Sequence, residues 1–579
     1  MVRQQALRRD DGGPRGRAEV RHPPPRLEKS MSDRAKTGAQ LAAQALRSVG
    51  LEVLFTLPGS HIGGLLGAVR ETGARVVSVR HEENAVLMAE GWALATATCG
   101  FAMVTAGPGL ANALPGIIEA NAAGAPVLIM AGRTAIAKRG RGAVQDLEQL
   151  RAVSGLVKWS GECLDPQRTA DYVVEAYRQA AWGSPGVAYL EVPEDILEAL
   201  VEPGGLPSLA PVSRAVPDPL SLAQAAEFLR HSQRPLVLAG SGAFFSRSGD
   251  ALLAFTDATG IPVTTTSAAR GLLDDDHPHC LGSLVHGGPA LASADLALVV
   301  GSRFNANLIY GGPPLFVDDQ VILQIDTRPE NLGGARQPTL GLVGDAGATL
   351  LALAKELVAD FDPWQGWREE AAASAAASRE MWAAEADTGG PGVAAGWLAQ
   401  QVADRFERDG GGTWISDGGD SVTWGIAFSR AHRPGSNMLI GSSMGTLGVG
   451  LPFAIAAGLA RPQEPLVLFT GDGAFGFSAM ELDTAARQRI GMVVVVVNNG
   501  VWRGPGSSHK EPAGALDHAA LARSLGGLGE RVTSPDELAP AINRAFAAAR
   551  SGTPCVVDVL CDPGVVSQLL RGLDALGLM

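Results

Sequence analysis

Short apolar runs rich in β-branched residues, each followed by a glycine-rich turn and then an alanine- and leucine-rich stretch, recur along this chain after Met31. A continuously apolar strand is buried on both faces, and strands that alternate with helices build parallel sheets covered by helices. The runs at 76–79, 101–105, 127–130, 236–239, 297–300, 321–325, 466–469, 492–497 and 556–559 are the expected strands. The expected class is therefore α/β, with doubly wound parallel sheets. A chain of 579 residues exceeds what one hydrophobic core supports. Breaks rich in Pro and Gly at 203–217 and around 389–392 divide it into three domains at 31–205, 215–365 and 390–579. Residues 1–30, rich in Arg and Pro and without an apolar core, are expected to form a disordered arm.

Composition narrows the function classes. Hydrophobic residues make up 46% and charged residues 18%, which excludes a largely disordered protein. A net charge of −13, with no Lys/Arg stripe in the body of the chain, argues against nucleic acid as a partner. Cys99, Cys163, Cys280, Cys555 and Cys561 form no CxxC pair, so neither a disulfide framework nor a structural zinc site is expected and a reducing cytoplasm is. Every apolar run is too short to span a bilayer, so no membrane partner is expected.

In open parallel sheets ligands sit beyond the carboxyl ends of the strands. Gly471-Asp472-Gly473 follows the run 466–469, and Asn498-Asn499 ends the run 492–497. A carboxylate, an amide oxygen and a nearby backbone carbonyl are hard ligands that suit Mg²⁺ bridging to a diphosphate. The glycines let backbone N–H groups approach phosphate oxygens. Ser478-Ala479-Met480-Glu481 reads as a capping box that opens a helix, whose N-terminus favours the same anion. Two ordinary Gly/Asn turns at strand ends would give the same pattern.

The GDG and NN pair resembles the cofactor motif of the thiamine-diphosphate enzyme family, and the resemblance covers nearly everything after Met31. It implies a pyrimidine-binding domain, a middle domain and a diphosphate-binding domain. It implies Asp472 and Asn499 as side-chain ligands of Mg²⁺, with the backbone oxygen of Val501, and Gly471, Gly473, Ala474 and Gly419 around the cofactor. Leu447, in Gly445-Thr446-Leu447-Gly448, matches the apolar side chain that bends the cofactor. Val79-Arg80-His81-Glu82 stands where the family keeps its catalytic glutamate, which hydrogen-bonds the pyrimidine ring and activates the cofactor. Glu83 is read as a helix-dipole residue only. The family builds its site between subunits, so a homodimer or homotetramer is implied.

On the substrate side, Gly59-Ser60-His61 and Gln145 fall where related lyases and ligases place polar groups, and the first third resembles benzaldehyde lyase. The resemblance makes His61 a proton shuttle and puts Ser60 and Trp502 in the pocket. Thr105-Ala106-Gly107 stands where pyruvate-type decarboxylases place two histidines, which favours ligation or cleavage over release of a simple aldehyde. The stretch 474–481 resembles 2-hydroxyacyl-CoA lyase and oxalyl-CoA decarboxylase, yet residues 562–579 offer Arg571 as their only base for a CoA group. Acetolactate synthase, a further relative, implies FAD in the middle domain, where Gly240-Ser241-Gly242-Ala243 lacks a third glycine, so FAD is optional. The implied reaction is carbon–carbon ligation or cleavage on 2-oxo acids or 2-hydroxy ketones. Two rivals remain: a serine hydrolase built on Gly441-Ser442-Ser443-Met444-Gly445 with Asp472 and His509, and a non-catalytic relative.

Overall fold

A computed structural model describes residues 35–202, 204–357, 363–386, 392–439, 443–503, 510–512 and 516–575. The segment 1–30 lies outside them, as do residues 389–391 of the second break. Three six-stranded parallel sheets carry the fold. The first holds β1 (Val53–Thr56), β2 (Arg75–Ser78), β3 (Gly100–Val104), β4 (Val127–Arg133), β5 (Trp159–Glu162) and β6 (Val187–Pro193), ordered β2-β1-β3-β4-β6-β5. The second holds β7 (Pro235–Ala239), β8 (Val263–Thr265), β9 (Cys280–Ser283), β10 (Leu296–Val300), β11 (Val321–Asp326) and β12 (Leu340–Val343), ordered β9-β8-β7-β10-β11-β12. The third holds β13 (Thr413–Asp417), β14 (Asn437–Met438), β15 (Leu466–Gly471), β16 (Met492–Asn498), β17 (Leu528–Val532) and β18 (Pro554–Leu560), ordered β14-β13-β15-β16-β18-β17.

All nine expected runs are strands. The central ones, such as β4, β15 and β16, are buried almost throughout. That continuous burial is what their β-branched runs encode. The first and third sheets share one strand order, and in each the order reverses between the first and third strands. Both therefore have a topological switch point, the crevice where open α/β sheets hold ligands.

The helix Glu82–Thr96 joins the first and third sheets. His81 accepts the Glu83 N–H at its start, and Ala97 ends it in a left-handed conformation (φ 52°). Glu82 and then Asn84 through Ala95 are all buried, because one face meets the helix Pro108–Ala123 and another the helix Gly450–Ala460. A Cβ on Gly91 would stand 2.8 Å from Phe453 Cα, so only glycine permits this approach. The expected capping box at 478–481 is not formed. Ser478 ends the helix Asp472–Ser478 with its Oγ buried and unbonded, and the next helix begins at Glu481 after Met480. Glu481 instead turns to the first domain. Its Oε1 accepts Arg80 N–H (2.7 Å) and Asn84 Nδ2 (2.9 Å), and its Oε2 accepts Thr484 Oγ1 (2.6 Å). His432 links the second and third domains, with Nδ1 2.9 Å from Asp274 and Nε2 3.1 Å from Glu407. Among the described residues no helix is long and apolar enough to cross a membrane.

Glu90 lies in the middle of this helix with both carboxyl oxygens buried and unbonded; burial, and then the neighbouring Glu119, push its pKa well above the ordinary 4.5. A raised folded-state pKa means stability that is present at low pH and lost as pH rises past the unfolded value. Replacing Glu90 by Gln removes that loss. The stability of Glu90→Gln relative to wild type is expected to grow from about pH 4.5 upward, by at most about 1.4 kcal/mol per unit, in denaturant melts at stepped pH. A difference independent of pH would contradict a buried, protonated Glu90.

Candidate active site

The third sheet's switch point lies between β13 and β15. β13 leads into Gly418 and Gly419, and β15 into Asp472 and Gly473. Gly418 has φ +103°, and a Cβ there would stand 3.2 Å from Gly471 N and 3.5 Å from Ala474 Cβ, so the two turns touch. Gly419, at the start of the helix Asp420–Phe428, has open space where a Cβ would point. β15 and β16 are neighbours, with Gly471 opposite Val497, and this brings the GDG and NN turns together. Asp472 Oδ2 accepts the Gly500 N–H (2.9 Å) and Oδ1 accepts the Gly473 N–H (2.9 Å). Burial raises the Asp472 pKa and these two N–H groups oppose the shift. Asn499 Oδ1 accepts the Val501 N–H (3.2 Å). Its neighbour Asn498 is consumed by structure, donating to Asp558 (2.8 Å) and to Leu516 O (3.1 Å). The Trp502 ring covers Gly473, where a Cβ would stand 2.6 Å from ring carbons.

Leu447 sits in a turn held from below by Asp417, a residue the sequence reading missed. This fully buried carboxylate accepts N–H groups from Gly418 (2.7 Å), Gly448 (3.3 Å) and Gly450 (2.8 Å). Burial raises its pKa to about 6 against the pull of those donors. The same turn abuts Phe477, whose Cβ would lie 2.5 Å from a Cβ on Gly448.

The first sheet's switch point lies between β1 and β3, and four of the expected substrate-side features meet there. His61, 7% exposed, has Nδ1 3.2 Å from Ser60 Oγ and 3.4 Å from Thr105 Oγ1. Gln145 adopts φ +62° and packs on Gly107, with its Oε1 buried and without a hydrogen-bond partner. Glu82 Oε2 accepts from Asn112 Nδ2 (3.1 Å). A Cβ on Gly109 would lie 2.8 Å from Thr105 Cγ2 and 3.6 Å from Glu82 Oε1, which places these groups in one cluster.

Among the described residues no hydrogen bond joins the Glu82 cluster to Asp472 or Asn499. Exposed apolar side chains lie beside each cluster: Phe477, Trp502 and Leu516 at the turns of the third sheet, and Val144 and Leu147 next to Gln145 in the chain. In the second sheet, Gly242 N–H is already bonded to Gly301 O (2.8 Å), so the turn at 240–243 does not offer that donor to a nucleotide phosphate. Among the described residues the elbow of a hydrolase is not formed either. Ser443 lies in a turn well before the helix that opens at Gly450 rather than on a strand-to-helix elbow, and His509 lies outside the described residues.

Asn112 and Asp417 escaped the sequence reading, which took Thr105 only as a position without a histidine and Glu481 only as part of a capping box.

Two sheets of like order, each with carboxylate and glycine at its switch point, define a multidomain α/β enzyme of the cofactor-binding class. Family profiles agree: the thiamine pyrophosphate enzyme N-terminal TPP-binding domain matches residues 36–152, the central domain 222–353, and the C-terminal TPP-binding domain 417–559. An acetolactate synthase large subunit of Mycobacterium tuberculosis is 33% identical over 91% of this chain and 96% of its own. A 2-hydroxyacyl-CoA lyase of Oryza sativa subsp. japonica is 30% identical over 91% and 95%, and the oxalyl-CoA decarboxylase of Escherichia coli is 26% identical over 93% and 97%. The chain belongs to the thiamine pyrophosphate enzyme family, and it is an enzyme of the thiamine-diphosphate-dependent lyase or transferase type.

Removing the Asp417 carboxylate strips three N–H groups of their acceptor at once. Asp417→Ala is expected to cost about 2–4 kcal/mol in denaturant melts. Because the Leu447 turn loses its anchor, calorimetric thiamine diphosphate affinity should fall about tenfold or more, equivalent to at least about 1.4 kcal/mol. An unchanged affinity would show that Asp417 does not shape the cofactor's seat.

Proposed function

We propose that the protein is a thiamine-diphosphate- and Mg²⁺-dependent carbon–carbon ligase or lyase acting on 2-oxo acids or 2-hydroxy ketones. The observation that carries this reading is the bond from Gly500 N–H to Asp472, which sets the NN turn beside the GDG carboxylate. Asp472, Asn499 and the Val501 carbonyl then form an all-oxygen donor set suited to Mg²⁺ on a diphosphate. Gly471, Gly473, Ala474 and Gly419 line the cofactor, and Leu447 lies beneath it. Bound there, thiamine diphosphate supplies a carbon nucleophile and an electron sink next to a substrate carbonyl.

The chain's own groups do the rest. Glu82 from a second copy holds a proton at the pyrimidine ring nitrogen. Ser60 and Thr105 engage His61 at Nδ1, which leaves Nε2 to move a proton at the substrate oxygen. Gln145 offers its unbonded Oε1 to the same substrate, while Ser60 and Trp502 line the pocket and exclude water. Thr105, Ala106 and Gly107 carry no strong acid, which favours attack on a second carbonyl over simple protonation. This makes carboligation or its reverse the expected reaction.

The exposed apolar residues around both clusters support a homodimer or homotetramer with each site shared between copies. A cytoplasmic location agrees with five buried free thiols. A CoA substrate is disfavoured because Arg571 is engaged by Glu385 (2.8 Å) and by the Val566 carbonyl. No step is assigned to FAD, given the closed turn at Gly242.

Purified protein is to be offered pyruvate, benzoin and a 2-hydroxyacyl-CoA with thiamine diphosphate and Mg²⁺. Glu82→Gln should cut turnover of the accepted substrate by about 100-fold or more while cofactor affinity stays within a few-fold. EDTA should abolish cofactor binding and Mg²⁺ restore it. Binding that ignores EDTA, or turnover that survives Glu82→Gln, would overturn the proposal.

A further inference from the structure

Glu82 shows an asymmetry between its two carboxyl oxygens. Oε2 accepts from Asn112 Nδ2 at 3.1 Å, whereas among the described residues no hydrogen bond is formed at Oε1. Asn112 stands on the second turn of the helix Pro108–Ala123, directly after β3, and the absence of a side chain at Gly109 keeps the space near Oε1 clear. The terminal torsion of a glutamate is soft and roughly two-fold, so nothing intrinsic to Glu82 decides which oxygen faces outward. A single uncharged donor on one oxygen removes that freedom. Asn112 is exposed on the single chain, so packing gives no separate reason for an amide at this position.

We propose that Asn112 is the positioning residue for Glu82: its amide fixes Oε2 and thereby aims Oε1 at the group with which Glu82 exchanges a proton. The inference rests on the reading of Glu82 as the proton-transferring carboxylate.

The holoenzyme is tested as wild type, Asn112→Ala, Asn112→Asp and Glu82→Gln. Asn112→Ala is expected to lower kcat by about 10- to 100-fold, the scale of a misaimed catalytic group, with KM nearly constant and Tm unchanged. Asn112→Asp puts a like charge beside Glu82. It should move the acidic limb of the kcat/KM profile upward by about one pH unit or more. Calorimetry of thiamine diphosphate binding in buffers of different ionisation heat should show proton uptake shifting in the same direction, independently of turnover. If Glu82→Gln is inactive while Asn112→Ala keeps kcat within twofold and Asn112→Asp keeps the wild-type pH profile, the positioning role is wrong and the reading of Glu82 stands. If Glu82→Gln retains turnover, both are wrong.

Discussion

The carboxylate of Glu481 decides how the two ligand-bearing sheets meet. It is fully buried, and a polar group in that position is tolerable only with its lone pairs satisfied. Three donors do this, and two of them, Arg80 N–H and Asn84 Nδ2, flank Glu82 on the other domain. Around this buried bond lies a weaker exposed layer, in which Arg80 pairs with Asp483 and Arg487 donates to Ser78 O (2.8 Å). The exposed pairs contribute little by themselves, but they surround a contact whose loss would leave a buried carboxyl without hydrogen-bond partners. The helix Glu82–Thr96 is thus fixed at its N-terminus by Glu481 and along its length by the helices on either side.

From that constraint follows the division of labour between the sheets. Each of the two outer sheets reverses its strand order once, and each reversal opens a crevice. The third sheet fills its crevice with oxygen donors and glycines. The first sheet fills its crevice with Glu82, His61 and the hydroxyls of Ser60 and Thr105. Neither set is complete as a site for a cofactor with a charged diphosphate at one end and a reacting ring system at the other.

Much of this was legible in the sequence where a local pattern existed. Nine strands were, most of them buried on both faces and so written as an apolar run, but the equally buried Val53–Thr56, Val187–Pro193 and Thr413–Asp417, whose runs contain Thr, Glu, Ser or Asp, were not. Edge or short strands such as Trp159–Glu162, Leu528–Val532 and Asn437–Met438 were not, since a half-exposed strand carries polar residues and no such run. The GDG and NN turns could be joined in advance because each ends a readable strand. Glu481 could not be placed: its sequence neighbourhood matches a capping box, but the contest for its carboxylate is won by donors about 400 residues away in the chain. Asp417 and Asn112 show the same limit. A lone acid or amide has no periodicity, and its role appears only when strand order brings three turns, or two helices, to one point.

If Glu82 of one copy and Asp472 of another make a single site, mixing two inactive variants restores activity. Glu82→Gln and Asp472→Ala homo-oligomers are each prepared, dissociated, mixed in equal amounts and reassociated. In a shared site half of the dimers are mixed and each mixed dimer holds one intact site, so activity should return to about a quarter of wild type. If both residues act within one chain, the mixture stays as inactive as its parts, and the two-copy site is wrong.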